Sequence, residues 1–338
     1  MNGFQRIQNV LKGEWPDKRP VMLHNFLLAA REAGFTQKEY RESPENIAKA
    51  HIQAIEEYQY DGILVDIDTT SLAASLGVPV DYPENEPART YGVKLKSLED
   101  VESLKPVDIS KNERIQIWLE ACRIIKKYFG DEIFVRGNCD QAPFSLASMV
   151  RGPADWMMDL ITDNDFISQL LDYCTDITLQ FINLMSETGV DMVSNGDSPA
   201  GPQMISPEMY KKYAFPYEKR IVEKAHKENL PYCLHICGNT DSILEDMLYT
   251  GTDALELDYK TNIQEIFKTC SDKITFIGNI DPSGILAMGK VGDVERETIK
   301  LLRVYKDSPR IIINAGCAIP AETPSENIRK MIEIARRD

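Results

Sequence analysis

The chain has 338 residues, 43% of them hydrophobic, a formal charge of −15 and seven scattered cysteines. The length suits two ordinary domains or one large α/β barrel, and the apolar fraction can fill a large core. The acidity, with no long basic stretch, argues against a nucleic-acid partner, and an odd, unpatterned cysteine set argues against a disulfide scaffold and for a reducing cytoplasm.

Met1–Lys12 has helical periodicity and lacks the apolar centre of a signal peptide. No run approaches the roughly 18–20 apolar residues that span a bilayer, so no membrane partner is expected. Eight short apolar runs read as strands: Pro20–Leu23, Gly62–Val65, Ile133–Arg136, Asp191–Val193, Tyr232–Leu234, Ala254–Leu257, Ile274–Ile277 and Ile311–Ile313. Between them, Pro44–Tyr58, Lys111–Tyr128, Asp165–Thr188 and Ser206–Glu228 have helical period. Ser43-Pro44 and Ser206-Pro207 read as an N-cap followed by proline in the first turn. Thr323-Pro324-Ser325-Glu326 opens the last helix the same way, and Thr240-Asp241-Ser242 opens another.

Strand–helix alternation implies right-handed βαβ units and a parallel sheet. Eight units predict an α/β fold consisting of one (β/α)₈ TIM barrel that takes up residues 1–338 as a single domain. Residues 68–110, with Pro79, Pro83 and Pro87, are the least regular stretch and read as an excursion over the barrel mouth. Polar residues gather where each strand ends: His24 and Asn25, Asp66 and Asp68, Asn138, Asn195 and Asp197, His235 and Cys237, Asp258, Asn279 and Asp281, Asn314 and Cys317. Barrels carry their chemistry on that face. Turn formation and helix capping account equally well for any one Asn or Asp there. There is no G-x-G-x-x-G, P-loop or G-x-S-x-G motif, so dinucleotide, nucleoside-triphosphate and serine-hydrolase readings lose their support.

His235-Ile236-Cys237-Gly238 follows one strand and Asn314-Ala315-Gly316-Cys317 ends another. Alternation along a strand puts His235 and Cys237 on one face. An imidazole and two thiolates suit Zn²⁺, and three protein ligands leave a fourth position open, as in catalytic sites. Buried thiols used as packing fit these three residues equally well. Cys122, Cys174 and Cys270 read as packing, and Cys233 as core filler. His226 reads as a solvated face, and His51 as a helix residue without a metal.

Several further stretches, in order, carry a resemblance. They are Pro16-Asp17-Lys18-Arg19-Pro20-Val21, Asp68 with Ala74-Ser75-Leu76-Gly77, and Ala142-Pro143-Phe144-Ser145-Leu146. Asp197-Ser198-Pro199-Ala200-Gly201, Gly278-Asn279-Ile280-Asp281 and Thr323-Pro324-Ser325-Glu326-Asn327 complete the set. Over nearly its whole length the chain resembles the uroporphyrinogen decarboxylase superfamily, and within it the zinc-dependent methylcobamide:coenzyme M methyltransferases. Two departures favour that branch. The basic stretch with which decarboxylases hold an acidic porphyrinogen is replaced by His24-Asn25-Phe26-Leu27-Leu28-Ala29-Ala30-Arg31, and cysteine stands at 317 where decarboxylases have histidine.

The resemblance implies that His235, Cys237 and Cys317 hold zinc, with an acidic residue in the fourth position when substrate is absent; Asp258 is the candidate and Glu256 the reserve. It implies methyl transfer from a methyl–Co(III) corrinoid (methylcobamide) to a thiol acceptor such as coenzyme M. The chain has no D-x-H-x-x-G corrinoid motif, so a partner corrinoid protein is implied. Asp68 and Asp197 are then catalytic candidates, and His24, Asn138 and Asn195 candidates for binding corrinoid or acceptor. Three other readings remain: the same transfer to tetrahydrofolate, a metal-free tetrapyrrole decarboxylase, and a barrel that binds without catalysis.

Overall fold

The computed structural model describes residues 1–162 and 165–337. Eight parallel strands form one sheet in the order β1 (Met22–Leu23), β2 (Gly62–Val65), β5 (Phe134–Gln141), β6 (Met192–Gly196), β7 (Tyr232–Ile236), β8 (Ala254–Leu257), β9 (Thr275–Ile280) and β10 (Ile311–Ala315). A parallel bridge between Val21 and Ile313, with Ile313 N–H donating to Pro20 O at 2.9 Å, closes the last strand onto the first. The expected (β/α)₈ barrel is therefore present, with helices outside and strands buried on both faces.

Two strands and one helix have the bounds read from the sequence: Gly62–Val65, Ala254–Leu257 and Pro44–Tyr58. Strands β5, β6, β7, β9 and β10 run further than their apolar cores, because the ladder continues through polar residues that line the mouth. The single helix expected over Ser206–Glu228 is two, Pro207–Tyr213 and Phe215–Lys227. Pro216 causes the break, since it lacks an N–H and its ring crowds the preceding turn.

Ser43 and Ser206 do cap their helices, accepting from Asn46 N–H and Met209 N–H. Thr240 does not open a helix. Its hydroxyl engages Thr261 at 3.0 Å, and the next helix is Leu244–Tyr249. The last helix starts at Ser325, with Pro324 rather than Thr323 at the cap position.

The barrel interior is layered. Met22, Phe134, Met192, Cys233, Ala254, Ile277 and Ile312 form an apolar floor with Ile7 and Val10 of the N-terminal helix Gly3–Lys12. That helix lies across the strand beginnings: Phe4 N–H donates to Glu132 O, and Val10 O accepts from Thr275 Oγ1. Cys233 is thus core filler, as its sequence context suggested.

Two residues further along the strands, the same inward parity brings His24, Arg136, His235, Glu256 and Asn314 to a polar level. The excursion after β2 contains a short helix (Ser71–Ser75), a hairpin of β3 (Val80–Asp81) with β4 (Arg89–Thr90), and two 3₁₀ turns. It is tied at Leu72 N–H to Asp140 Oδ2 (2.7 Å) and at Glu84 O to Lys38 N–H (2.9 Å).

Candidate metal centre

His235, near the end of β7, and Cys237, just beyond it, point inward by strand alternation. Cys317 follows β10, which the closed barrel brings around to the same mouth. His235 Nε2 lies 3.0 Å from Cys237 Sγ, and Cys237 Sγ lies 3.5 Å from Cys317 Sγ. The donor atoms of the three all fall within 4.8 Å of one another. Among the described residues this is the one cluster of three or more such groups that could hold a metal.

His235 Nδ1 donates to the backbone carbonyl of Glu256 at 3.0 Å, which turns Nε2 toward the thiols. Backbone-oriented imidazoles of this kind are typical metal ligands. Cys237 N–H donates to Ser198 Oγ at 3.3 Å. The Cys237 thiol lies far below the ordinary range, to about 3, because Cys317 donates a hydrogen bond to it and His235 adds its charge against the opposing effect of burial. Cys317, as the donor, is pushed up. Burial lowers His235, yet the Cys237 thiolate outweighs it and takes the imidazole to about 10. The opposite directions of the two thiols follow from their close approach, and a deprotonated thiol beside an imidazole is the donor chemistry that a cation requires.

Two glycines shape this corner. Gly238 has φ +87°, a left-handed turn directly after Cys237. A Cβ on Gly316 would meet Tyr259 N at 2.7 Å and Asp258 Cα at 2.9 Å, so the chain entering Cys317 passes against backbone where only glycine fits.

The structure does not bring every expected site residue to this point. Asp258 stands apart from the cluster: its Oδ2 accepts from Gly238 N–H (2.9 Å) and its Oδ1 from Lys260 N–H (3.1 Å), so it braces the loop behind Cys237. Glu256 is also outside the cluster. Its Oε2 meets Arg136 Nη1 at 2.5 Å and its Oε1 accepts from Asn314 Nδ2 at 3.3 Å. Burial raises Glu256, but Arg136 and His24 more than compensate and hold it well below the usual carboxylate range.

His24 reaches this group, with Nε2 2.8 Å from Asp66 Oδ2 and Nδ1 3.6 Å from Glu256 Oε1. Burial lowers its pKa, and the two carboxylates raise it further, to about 9. Asn138 shares the inward parity of Phe134 and Arg136 and is half-buried at the mouth.

Asn195 points the other way. Its amide donates to Cys139 O (2.5 Å) and accepts from Tyr232 OH (2.9 Å), behind the strands. Asp197 is fully buried, accepting from Ser145 N–H (2.8 Å) and Ser145 Oγ (2.5 Å). It faces Glu218, which also accepts from Tyr210 OH at 2.5 Å. Burial raises both carboxyls, Asp197 to about 6 and Glu218 higher still, so one proton is shared between them.

Asp68 accepts from Thr70 N–H (2.8 Å) and Ser71 Oγ (3.1 Å), while its Oδ2 stays buried without a protein partner. Arg136 and Ser198 were not singled out from the sequence. An arginine at inward parity in an otherwise apolar strand was the available signal for the first. The serine beside Asp197 carried none.

A closed parallel barrel with a His-Cys-Cys cluster at its C-terminal mouth defines an enzyme scaffold with a candidate metal centre. Residues 2–337 match the family model described as uroporphyrinogen decarboxylase (URO-D), and the chain belongs to that family. It is 33% identical over 282 residues to the methylcobamide:CoM methyltransferase MtbA of Methanosarcina acetivorans, covering 82% of this chain and 80% of that one. It is 26% identical over 339 residues to the methylcobamide:CoM methyltransferase MtaA of Methanosarcina barkeri, covering 98% and 96%. A solved methyltransferase from Methanosarcina mazei superposes with a TM-score of 0.88 at 23% identity over 99% of this chain and 98% of that one, which shows the shared fold. The chain is accordingly an enzyme grouped with the methyltransferases of this family. No helix among the described residues is long and apolar enough to cross a membrane.

Proposed function

We propose that this enzyme moves a methyl group from a methyl–Co(III) corrinoid, carried on a partner corrinoid protein, to a thiol such as coenzyme M, using zinc held by His235, Cys237 and Cys317. The convergence of an oriented imidazole and two thiols within 4.8 Å at the barrel mouth carries this reading. The donor set fits Zn²⁺, being borderline-soft, with two groups able to supply negative charge. Bound there, the metal would supply a Lewis acid that makes a neutral thiol into a thiolate and orients it.

The chain's own residues prepare that position. Glu256 O fixes the ring of His235, Ser198 Oγ and Gly238 fix the turn at Cys237, and Gly316 lets Cys317 approach. The acceptor sulfur attacks the methyl carbon in line, the Co–C bond breaks, and both its electrons stay on cobalt as Co(I). Asn138 and Asp68 stand at strand ends on the face where both reactants would reach the centre. Asp258 and Glu256, held by other partners, leave the fourth position to solvent or acceptor.

Free thiols at all seven cysteines suit a reducing cytoplasm, and no nucleic-acid or membrane partner is proposed. Tetrahydrofolate stands as the alternative acceptor.

The test is metal analysis beside methyl transfer from methylcobalamin. About one zinc per chain, lost in Cys317→Ala, with demethylation supported by coenzyme M, is the expected result. A folded protein that takes up no zinc overturns the reading. Transfer to tetrahydrofolate but to no thiol replaces the acceptor.

A further inference from the structure

His24, a binding candidate from the sequence, stands between two carboxylates, Asp66 and Glu256, next to the strand end that leads to Cys317. His24 is fastened at both ends to the segment that carries Cys317: its N–H donates to Asn314 Oδ1 at 3.2 Å, and its carbonyl accepts from Ile319 N–H at 2.8 Å. Its ring stacks on Phe26 with centroids 5.6 Å apart, and the residue stays 8% exposed, on the same polar level of the barrel as His235 and Glu256. Nε2 is bound to Asp66, while Nδ1 has no hydrogen-bond partner, since Glu256 Oε1 at 3.6 Å is engaged by Asn314.

We propose that His24 is a positioning residue that keeps the acceptor in its thiolate form at the metal centre, by opposing the charge of the acceptor sulfur across the mouth. The inference rests on the function proposed above.

The charges around His24 make the argument. Asp66 beyond β2, Glu256 on β8 and Arg136 on β5 are the ionised groups packed against or beside it; His235 lies behind Glu256. His51, on the helix Pro44–Tyr58, is the other titratable group near it, and burial drives its pKa down to about 4, so it is neutral. Two cations, His24 and Arg136, balance two anions, Asp66 and Glu256. A divalent metal with two cysteine thiolates and a neutral imidazole is likewise balanced. An acceptor thiol that loses its proton to water at the mouth adds one net negative charge in a partly buried site, where screening is weaker than in bulk water.

With His24 cationic, that charge faces a neutral wall. With His24 neutral, it faces a wall of charge −1, and the thiolate is disfavoured by roughly tenfold or more at separations of several ångströms in a partly buried site.

The experiment uses zinc-loaded full-length protein and 2-mercaptoethanol, an uncharged probe thiol. Calorimetry in two buffers of different ionisation enthalpy gives the protons released on binding, and the pH dependence of Kd gives the apparent pKa of the bound thiol. In His24→Gln, which keeps a donor toward Asp66 but not the charge, the apparent pKa rises by about one unit, equivalent to tenfold weaker binding at neutral pH. In His24→Lys, which keeps the charge, it returns toward the wild-type value.

An unchanged apparent pKa in His24→Gln, with wild type binding normally, overturns this inference alone. Equal damage in the Gln and Lys variants also overturns it, marking a structural role. Wild-type protein that binds zinc but no thiol overturns the proposed function and this inference with it.

Discussion

Glu256 serves His235 with its backbone and Arg136 with its side chain: the carbonyl accepts from His235 Nδ1 at 3.0 Å while the carboxylate pairs with Arg136 at 2.5 Å. One residue thereby joins the candidate metal ligand to a buried ion pair in the barrel interior. The two roles separate under mutation. Glu256→Ala leaves the Arg136 guanidinium buried and uncompensated, and is expected to cost about 3–5 kcal/mol of stability. The carbonyl survives, so zinc affinity falls by tenfold or less. Denaturant unfolding and chelator competition on the same variant check both halves.

Gly316→Ala places a methyl group against the backbone of Tyr259 and Asp258. Neither can rotate away, so the Cys317 loop must shift. Zinc affinity is expected to drop more than tenfold, with about 1–3 kcal/mol lost in stability from overpacking. Gly292→Ala, where nothing lies within 4 Å, is the control and should be neutral or slightly stabilising in its helix. A Gly316→Ala protein that holds zinc as tightly as wild type would show that the close approach does not matter.

The pH dependence of folding carries a signature of His24. Its pKa is raised in the fold from 6.5 to about 9, so its stabilising contribution is complete below pH 6.5 and is lost as pH climbs through 9. The amount is about 3 kcal/mol at full extent. Metal-free protein should lose stability between pH 7 and 9.5, and His24→Gln should flatten that slope. An unchanged slope in the variant assigns the alkaline loss elsewhere.

The buried acid pair Asp197–Glu218 gives a contrast between two substitutions. Glu218→Gln supplies an N–H where the shared proton sits and should be tolerated within about 1 kcal/mol. Asp197→Ala strips Ser145 N–H and Oγ of their acceptor and should cost about 1–3 kcal/mol. Matching thermal-melt losses for the two would contradict the shared proton.

The barrel was legible because its strands are short, apolar and buried on both faces; Gly62–Val65 and Ala254–Leu257 have the bounds that their composition suggests. What failed was local. Pro216 ends a helix whose periodicity continues past it, and Thr240 prefers Thr261 to a cap.

Within the site, alternation was enough to pair His235 with Cys237, and Cys317, at the end of another strand, supplied the second thiol of a zinc-suited set that buried packing thiols fitted as well; the family likeness favoured the metal. Asn195 and Asp197 were misleading for a simple reason. A polar residue at a strand end can point into the barrel or behind it, and these two satisfy backbone and carboxyl groups behind it. Asp258 offered the right chemistry at the right strand end, yet two backbone N–H groups claim it. The Arg136–Glu256 pair joins residues 120 positions apart: each strand alone shows a charge at an inward position, but only the closed barrel shows that the two meet.

The N-terminal helix, with Ile7 and Val10 seated in the barrel floor, makes the scaffold a cup with one opening. On the function proposed here, a small thiol and a bulky corrinoid must then use the same doorway. The smaller reactant has to enter first and leave last, because the larger one roofs it over. A blind-ended vessel of this kind imposes an order of arrival, visible in steady-state kinetics as inhibition by excess corrinoid that rising thiol concentration relieves.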